Sequence, residues 1–340
     1  VALWITVQNG QKRQQTTPTT TNMRAPAPTA QSGTTNGRQP NNRLPCFEAL
    51  YIHVPFCASK CGYCAFYSVP GAPAAMRRRY LDHLQEEFAA GSPCCAPLSS
   101  VSIGGGTPSA LDLDELRELL ASVRRSFPLL PDMEWTVECN PGSLTPGKAC
   151  VLAEAGVNRI SLGVQTLAPE LRKTLTREGD VSRLTETVRL LRELGVSKVN
   201  VDLIYAIPGQ TIDQWRSDVR QACELGIDHL STYSLTREEG TRLAHSSLPP
   251  VEEELDVLMW ETAAEEARTF GLERYEVSNL ARPGAECRHN NRIWHGATYL
   301  GCGPSATSFD GNLRWTNPRS LTAWLERTPP EEDPLPPERR

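Results

Sequence analysis

The sequence predicts an α/β fold for the part of the chain after residue 47, and two observations support this. Short β-branched runs alternate with amphipathic helical patterns from residue 50 to residue 270, the order expected for parallel strands joined by right-handed helical crossovers. Polar and cysteine residues also recur where the predicted strands end. A partial or complete barrel and a doubly wound open sheet both fit the alternation, so the pattern alone leaves both open.

The individual elements follow from the period of the apolar residues. Alternating or continuous β-branched runs predict strands at 50–54, 101–103, 135–137, 159–164, 198–204 and 229–235, with a weaker strand at 274–277. Apolar residues at helical spacing predict helices at 76–88, 113–127, 145–155, 181–194, 212–225 and 251–270. The vicinal pair Cys94 and Cys95 falls between two of these elements, and its flanking prolines predict a loop there.

Residues suited to binding follow several of the strands. A glycine triplet, 104–106, follows the second strand, Glu138 ends the third, Gln165 ends the fourth and Asp202 lies within the fifth. In a barrel, groups at the carboxyl ends of the strands share one mouth, so these residues would line a single site. The alternatives are structural: a glycine triplet is often only a turn, and a carboxylate such as Asp202 can serve buried donors.

Three cysteines at the end of the first strand carry the clearest chemical signal. Cys57, Cys61 and Cys64 have the spacing C-x3-C-x2-C. Three thiolates on a four-iron, four-sulfur cluster leave one iron without a protein ligand and free to bind a small molecule. A zinc site is the alternative, but zinc sites are usually built from two spaced ligand pairs, and no second pair with that spacing follows within about thirty residues.

This spacing, with Tyr63 just before the third cysteine, resembles the radical S-adenosylmethionine (SAM) superfamily, in which SAM binds the open iron. Longer motifs resemble the HemN/HemW family, in order and over roughly residues 48–325. They are Tyr51-Ile-His-Val-Pro-Phe-Cys, Gly104-Gly-Gly-Thr-Pro-Ser, Glu138-Cys-Asn-Pro, Gly156-Val-Asn-Arg-Ile-Ser-Leu-Gly-Val-Gln, Asp202-Leu-Ile-Tyr-Ala-Ile-Pro-Gly-Gln-Thr and Tyr275-Glu-Val-Ser-Asn. The resemblance implies a partial TIM-like (β/α) radical SAM barrel at 48–280 and a HemW-like C-terminal extension at 281–340, truncated where family members continue into a further helical domain.

The resemblance also implies roles for individual residues. Cys57, Cys61 and Cys64 would bind the 4Fe-4S cluster. Contacts to SAM would come from Tyr51, Tyr63, Gly105, Gly106, Thr107, Glu138, Gln165, Arg177 and Asp202. Two positions depart from the family: Gly179 stands where members tend to have His, and Ser305-Ala-Thr-Ser replaces Gly-Ala-His-Ser.

Two features favour the HemW branch. The HemN branch, an oxygen-independent coproporphyrinogen III dehydrogenase, has a further cysteine two residues after the third, where this chain has Phe66. HemW proteins have a His-Asn-x-x-Tyr-Trp motif linked with heme, and the corresponding stretch here runs from His289 to Trp294 but lacks the tyrosine. Imidazole and thiolate both bind heme iron, so His289 and Cys287 are the candidate heme ligands, ahead of His295.

Three functions therefore remain open at this point. The first is a heme chaperone that delivers heme to acceptor proteins. The second is the dehydrogenase, in which reductive cleavage of SAM starts radical decarboxylation of coproporphyrinogen III to protoporphyrinogen IX. The third is a radical enzyme acting on an unrelated substrate, because fold and cluster do not fix the substrate. The SAM chemistry in each case also requires an electron donor.

Composition bounds the class of protein and its location. A net charge of −5 argues against general nucleic-acid binding, and no apolar run approaches the roughly 20 residues of a membrane helix. Eleven cysteines without a secretory signal predict reduced thiols and a cytoplasmic protein. Residues 1–47 have a charge of +5 and few apolar residues, which predicts disorder. The alternative is a transit peptide, and with it a mitochondrial or plastid location.

Overall fold

A computed structural model of the protein describes residues 46–334. The strands are β1 Phe47–Val54, β2 Phe56–Cys57, β3 Val69–Pro70, β4 Cys95–Gly105, β5 Leu129–Cys139, β6 Arg159–Gln165, β7 Lys198–Tyr205, β8 His229–Ser234, β9 Glu273–Arg274, β10 Asn279–Ala281, β11 Tyr299–Cys302, β12 Thr307–Phe309, β13 Leu313–Thr316 and β14 Glu331–Pro334. The α-helices are α1 Ala74–Gly91, α2 Leu113–Ser126, α3 Pro146–Glu154, α4 Pro169–Thr174, α5 Leu184–Glu193, α6 Ile212–Glu224, α7 Glu253–Arg268, α8 Arg288–Trp294 and α9 Leu321–Leu325. The predicted disordered segment lies outside these residues except for its last two positions.

Six strands form the parallel centre of the sheet. They are β1, β4, β5, β6, β7 and β8, each paired in parallel with the next and each joined to it through at least one helix. This repeated unit is the (β/α) topology of a partial barrel, so the predicted α/β fold is confirmed. We call the carboxyl ends of these strands the mouth and their amino ends the floor.

Further strands extend this sheet on both sides. Strand β11 pairs in parallel with β1, so it extends the parallel set on the side away from β4. The antiparallel strands β12, β13 and β14 follow it to one edge, and antiparallel β10 and β9 continue from β8 to the other. Of the segment 281–340, the described residues up to 334 therefore contribute strands β11 to β14 to one side of the barrel sheet.

The two faces of the parallel strands differ in polarity. Leu50, Ile52 and Ile103 are fully buried in the apolar core, which they share with helix residues such as Tyr80 and Phe88. The alternate positions, which face inward, include Ser100, Glu134, Thr136, Asn200 and Asp202. Because side chains alternate along a strand, an apolar core outside and a polar lining inside come from one set of strands.

Most predicted elements are confirmed, with small shifts at their ends. Two predictions were wrong. The strand predicted at 274–277 stops at Arg274, because the chain turns away to form a side-chain-bonded loop. Cys95 begins β4 instead of lying in a loop, because that strand pairs with Phe47 well before its apolar section. None of the helices in residues 46–334 is long and apolar enough to cross a membrane.

Candidate functional site

The three-cysteine loop leaves the mouth end of β1 and is closed on itself. Strands β2 and β3 pair in parallel across its base, so Cys57 lies opposite Pro70. The Val69 N–H donates to the Pro55 carbonyl at 2.7 Å, and the Gly71 N–H donates to the Cys57 carbonyl at 3.0 Å. Cys57, Cys61 and Cys64 are all half-buried. The loop is therefore a fixed unit that presents its thiols at the mouth.

Gly62 anchors the middle of this loop from two sides. Its N–H donates to the Leu175 carbonyl at 3.0 Å, and its carbonyl accepts from the Leu243 N–H at 2.8 Å. A Cβ added at Gly62 would lie only 2.6 Å from the Thr176 hydroxyl oxygen. The glycine between the second and third cysteines is thus required by close packing.

Polar groups lie against two of the three sulfurs. One terminal nitrogen of Arg177 donates to Cys61 Sγ at 3.4 Å, and the Thr107 hydroxyl lies 3.6 Å from Cys57 Sγ. Burial raises the pKa of the Cys57 thiol and raises that of Cys64 to about 11. A nearby positive charge stabilises a thiolate, and Arg177 places such a charge beside Cys61.

In the described residues, the three thiols do not converge on a single metal ion. Within residues 46–334, no three His, Cys, Asp or Glu side chains are close enough together to share one metal ion. This is compatible with a cluster, in which each cysteine binds a different iron.

Each residue of the glycine triplet is in close contact with another part of the mouth. A Cβ would lie 2.6 Å from the Glu138 carboxylate at Gly104, 2.7 Å from the His53 ring at Gly105 and 2.8 Å from the Pro55 and Phe56 backbone at Gly106. Gly105 also has φ +108°, a conformation that L side chains rarely adopt. The triplet is therefore needed for packing, whether or not a ligand also approaches it.

Tyr51 and His53 form a buried pair beneath the triplet. The Nε2–H of His53 donates to the Tyr67 carbonyl at 2.9 Å, which leaves Nδ1 to accept from the Tyr51 hydroxyl at 3.2 Å. Burial lowers the pKa of His53 to about 4, so the ring is neutral in this arrangement. His53 thus positions Tyr51, a predicted SAM contact, and the Tyr67 end of the cysteine loop.

Glu138 and Asp202 place two carboxylates in the mouth. Glu138 is exposed to solvent although strands surround it, as expected for a side chain that lines an open cavity. Although water reaches Glu138, the barrel walls around it reduce its solvation, and this, followed by repulsion from Asp202, raises its pKa, while the Gly105 N–H donates to it. Burial also raises the pKa of Asp202, and hydrogen bonds from Ser161 and Asn200 oppose that effect. Two carboxylates that repel each other in one cavity favour ligands that donate hydrogen bonds.

The backbone is strained where β6 and β7 end. Gln165 has φ +75° and Ala206 φ +58°, left-handed values that are costly for residues other than glycine. Register also shifts between β6 and β7 just before Gln165. Strain of this kind persists where the surrounding structure enforces it, which is common at binding sites.

Arg172 and Arg177 hold the rim of the mouth next to this strained backbone. Arg172 donates to the carbonyls of Val164, Thr166 and Gly179, and Arg177 donates to the Gly163 carbonyl at 2.6 Å. The Arg177 Nε is buried and has no hydrogen-bond partner among the described residues. The two arginines also line an open surface cavity of about 390 Å³ formed by residues 169–178, which includes none of the other predicted SAM contacts.

The mouth as a whole fits a cluster with bound SAM. It offers three thiols on one loop, a guanidinium whose buried Nε has no partner in the part of the chain that the structure describes and could bind a carboxylate, and acidic acceptors for amino or hydroxyl groups. Tyr63 packs at the same place, against a small apolar cluster that includes Leu171 and Ile207. Every residue predicted to bind the cluster or SAM therefore lies at or just inside the mouth.

Cys287 and His289 lie elsewhere, at the floor. The start of α8 lies across the inward face of the strands, where Glu134 Oε1 accepts from the His289 N–H at 3.0 Å and from the Cys287 thiol at 3.6 Å. His289 Nδ1 lies 2.9 Å from the Ser100 hydroxyl, and burial lowers the pKa of His289 to about 3. Its Nε2 has no hydrogen-bond partner among the described residues. Glu134 also forms a salt bridge with Lys198, whose Nζ lies 3.6 Å from Glu134 Oε2.

Sequence reasoning missed several residues that support the site. Asn200 and His229 form hydrogen bonds that lead to Asp202, and His53 and Arg172 position the mouth. The signal was present for the first two, since Asn200, Asp202, His229 and Ser231 occur at alternate positions of otherwise apolar strands. Polar residues at a two-residue spacing in a buried strand indicate a polar inner face.

Comparison with known proteins agrees with this geometry. A family model described as the radical SAM superfamily matches residues 51–222. With the fold and the three cysteines at the mouth, this match defines a radical SAM domain, and the family implies a 4Fe-4S cluster and SAM. Coproporphyrinogen III oxidase (HemN) from Escherichia coli has the same fold, with a TM-score of 0.76 and 24% identity over 84% of this chain and 70% of that one.

Curated relatives are closer in sequence. Heme chaperone HemW from Mycobacterium tuberculosis is 36% identical over 82% of this chain and 73% of the relative. Heme chaperone HemW from Escherichia coli is 35% identical over 83% of this chain and 74% of the relative. A zebrafish relative, Radical S-adenosyl methionine domain-containing protein 1, mitochondrial, is 33% identical over 76% of this chain and 59% of that protein. The chain therefore belongs to the HemN/HemW family of radical SAM proteins.

Proposed function

We propose that this protein is a heme chaperone of the HemW type, which binds heme and passes it to acceptor proteins. The observation that carries the proposal is the match to proteins named as heme chaperones, at 31–36% identity over 75–86% of the chain. Phe66 adds to it, because its side chain cannot supply a fourth thiolate to the cluster loop. The likeness to HemN extends to the fold alone.

At the mouth, Cys57, Cys61 and Cys64 would hold the cluster, which with SAM would supply one-electron chemistry. Arg177 is proposed to bind the SAM carboxylate through its free Nε while it keeps its bond to Cys61 Sγ. Asp202 is proposed to accept from the ribose hydroxyls. The remaining predicted contacts are Tyr51, Tyr63, Gly105, Gly106, Thr107, Glu138 and Gln165.

At the floor, Cys287 and His289 are the proposed heme ligands, and the structure sets a condition on that role. Both side chains are buried beneath the start of α8, and His289 is 1% exposed. A planar macrocycle can reach either atom only if α8 leaves the floor. His289 Nε2, which has no partner within residues 46–334, supports such an exchange, since iron ligation would satisfy this nitrogen. His295, at the end of α8, is exposed and is the alternative ligand.

The proposed partners follow from this chemistry: heme itself, an electron donor for the cluster, and heme-acceptor proteins. The proposed location is the cytoplasm. The alternative is a mitochondrion, which the name of the zebrafish relative supports. Fusing residues 1–47 to a fluorescent protein tests this point, because a transit peptide directs the fusion to an organelle.

Heme titration tests the proposal. The full chain is titrated anaerobically with heme, and the absorbance of bound heme is followed for the parent and for Cys287→Ala, His289→Ala and His295→Ala. The expected result is stoichiometric binding that is weakened or spectrally altered in the Cys287 or His289 variant. His245→Ala, which removes an exposed imidazole elsewhere, is the matched control.

The outcomes separate the function from the ligand assignment. If the parent fails to bind heme, the proposed function is wrong. If the parent binds heme and none of the variants changes the spectrum, only the ligand assignment is wrong.

A further inference from the structure

A continuous line of hydrogen bonds runs from the floor to Asp202. The Tyr275 hydroxyl lies 2.8 Å from His229 Nε2, and His229 Nδ1 lies 2.7 Å from Asn200 Oδ1. The Asn200 side-chain nitrogen then donates to Asp202 Oδ1 at 2.8 Å. Asn200 and His229 are 3% and 1% exposed, so solvent does not compete for these bonds.

The direction of each bond follows from the chemistry of the groups. A carboxylate only accepts, so the Asn200 amide nitrogen must face Asp202 and its oxygen must face His229. His229 Nδ1 therefore has the proton, and Nε2 accepts from the Tyr275 hydroxyl. This sequence of donors and acceptors requires a neutral imidazole at His229. Burial favours that state, because it lowers the pKa of His229 well below its usual value. Every donor along the line thus points toward Asp202.

Further hydrogen bonds fix the orientation of the Asn200 amide and so the direction of the line. Asn200 also donates to the Ser161 hydroxyl at 2.7 Å and accepts from the Ser231 hydroxyl at 3.2 Å, so both ends of its amide are occupied. Ser161 in turn donates to Asp202 Oδ2 at 2.7 Å. Both oxygens of the carboxylate are therefore fixed by donors from within the barrel, and their remaining lone pairs are available to a ligand.

The loop after β9 is built to place the Tyr275 hydroxyl at the start of this line. Glu276 accepts from the Ser278 N–H at 2.7 Å and from the Asn279 side chain at 2.6 Å, which closes the loop on itself. The Cys287 N–H donates to the Tyr275 hydroxyl at 3.3 Å, which leaves that hydroxyl's own proton for His229. The motif Tyr275-Glu-Val-Ser-Asn thereby gains a physical role.

We infer that Tyr275 and His229 are positioning residues for SAM: through Asn200 they hold the Asp202 carboxylate oriented to accept hydrogen bonds from the ribose hydroxyls. The inference rests on the proposed contact between Asp202 and SAM. It extends the binding site to the far end of the barrel, and it connects the SAM pocket with the start of α8 through the Cys287 N–H.

The test measures dissociation constants on the cluster-loaded protein for SAM and for its 2′,3′-dideoxy analogue, which lacks the ribose hydroxyls. Asp202→Ala is expected to weaken SAM by about tenfold or more, since hydrogen bonds to a charged group are the stronger kind. Tyr275→Phe removes one oxygen at constant shape and is expected to weaken SAM about three- to tenfold. In both variants the affinity for the analogue stays within about twofold of the parent, in line with the lost ribose contact.

Two further variants distinguish positioning from general packing. Tyr299→Phe removes another buried hydroxyl, on β11 and outside the line, and leaves both affinities unchanged. His229→Gln, which keeps one donor and one acceptor, binds SAM more tightly than His229→Leu. If His229→Leu fails to fold, Tyr275→Phe still carries the test.

Each contrary result has one meaning. If Asp202→Ala weakens SAM and the analogue equally, the proposed Asp202 contact is wrong. If Asp202→Ala behaves as expected and Tyr275→Phe leaves SAM affinity unchanged or lowers both affinities alike, the positioning role is wrong.

Discussion

The mouth and the floor of this barrel are both lined by polar side chains, and they differ in solvent access. At the mouth, the three cysteines are half-buried and Glu138 is exposed to solvent. At the floor, Glu134 and His289 are only 2% and 1% exposed, and Glu134 accepts from the His289 N–H and the Cys287 thiol. Both ends keep a polar atom without a partner among the described residues, Arg177 Nε at the mouth and His289 Nε2 at the floor, so solvent access is what distinguishes an open site from a closed one.

The contrast separates two groups of predicted ligands that sequence alone treated alike. The candidates for the cluster, and most of those for SAM, reach solvent in the described state, whereas Tyr51 is buried. Those for heme are in place but closed, so heme binding there requires a rearrangement of α8. The following predictions test whether the mouth and the floor differ in this way.

The largest expected effect is at the mouth. Replacing Cys57, Cys61 or Cys64 by Ala removes one of the three protein ligands. The 4Fe-4S cluster should then be lost, because the two remaining cysteines do not bind it stably. Iron content, cluster absorbance and SAM cleavage measure this. Cys150→Ala, which removes a half-buried thiol on α3, is the control and should leave all three intact. Retention of the cluster in a Cys61 variant would contradict the assignment.

Arg177→Lys should have the next largest effect, again at the mouth. Lysine keeps the charge but not the separate donors to Cys61 Sγ, the Gly163 carbonyl and a carboxylate. SAM affinity should fall by about tenfold or more. The cluster reduction potential should also fall, since a hydrogen bond to a ligand sulfur is lost. Lys173→Ala, an exposed cation one turn away, should change neither quantity, and equal effects of both variants would contradict a specific role.

At the floor, Glu134→Ala should lower stability rather than ligand affinity. The substitution leaves Lys198 and the His289 N–H without their partner. Because Lys198 keeps some solvent contact, we expect the free energy of unfolding to fall by about 3 kcal/mol, the lower end for a broken buried charge pair. Chemical denaturation measures the loss. Glu186→Ala breaks an exposed pair with Arg183 and should cost less than about 0.5 kcal/mol. A large loss of SAM affinity with no loss of stability would blur the distinction between mouth and floor.

Gly104→Ala is expected to act through the mouth at moderate cost. The new methyl group would lie 2.6 Å from the Glu138 carboxylate, which must then move. Overpacking of this kind costs about 1–3 kcal/mol, and SAM binding should weaken with it. Gly147→Ala on α3 meets only ordinary contacts at 3.7 Å and should be neutral or stabilising. If the two variants are equally stable, the packing account of the triplet is wrong.

The last prediction is a pH dependence at the floor, which is negligible at neutral pH and grows only in acid. Burial lowers the pKa of His289 to about 3, below its unfolded value of about 6.5, so the folded protein holds the ring neutral. The corresponding stability is present above pH 6.5 and is lost as pH falls from there toward 3, by at most about 1.4 kcal/mol per pH unit. His289→Asn should therefore show a shallower acid dependence of unfolding than the parent, whereas His245→Asn should not. Identical slopes for all three proteins would argue against a neutral buried His289.

Sequence patterns were sufficient for most of the barrel, for physical reasons. Local periodicity gave the six parallel strands and their longer crossover helices from Phe47 to Ser234, because each unit buries its apolar face against its neighbour in the chain, but it did not give the short elements β2, β3 and α4. The pairing of Tyr299–Cys302 with the first strand could not be foreseen, since it joins segments about 250 residues apart. A spacing such as C-x3-C-x2-C carries its chemistry within eight residues, so it was readable from sequence.

The floor shows the limit of that approach. His289 was recognisable as a candidate ligand by residue type and motif, but its burial depends on Glu134 and Ser100, which are remote in sequence. The same holds for the line from Tyr275 to Asp202, which joins three segments of the chain. Ligand identity can follow from a local motif, whereas accessibility depends on the tertiary structure.

The measurement that tests the central claim most directly is anaerobic. The cluster is reconstituted, SAM, a reductant and coproporphyrinogen III are supplied, and mass spectrometry follows protoporphyrinogen IX alongside SAM cleavage. A heme chaperone with Phe66 beside its cluster should cleave SAM without forming protoporphyrinogen IX. Formation of protoporphyrinogen IX in catalytic yield would contradict the account and make the protein a dehydrogenase.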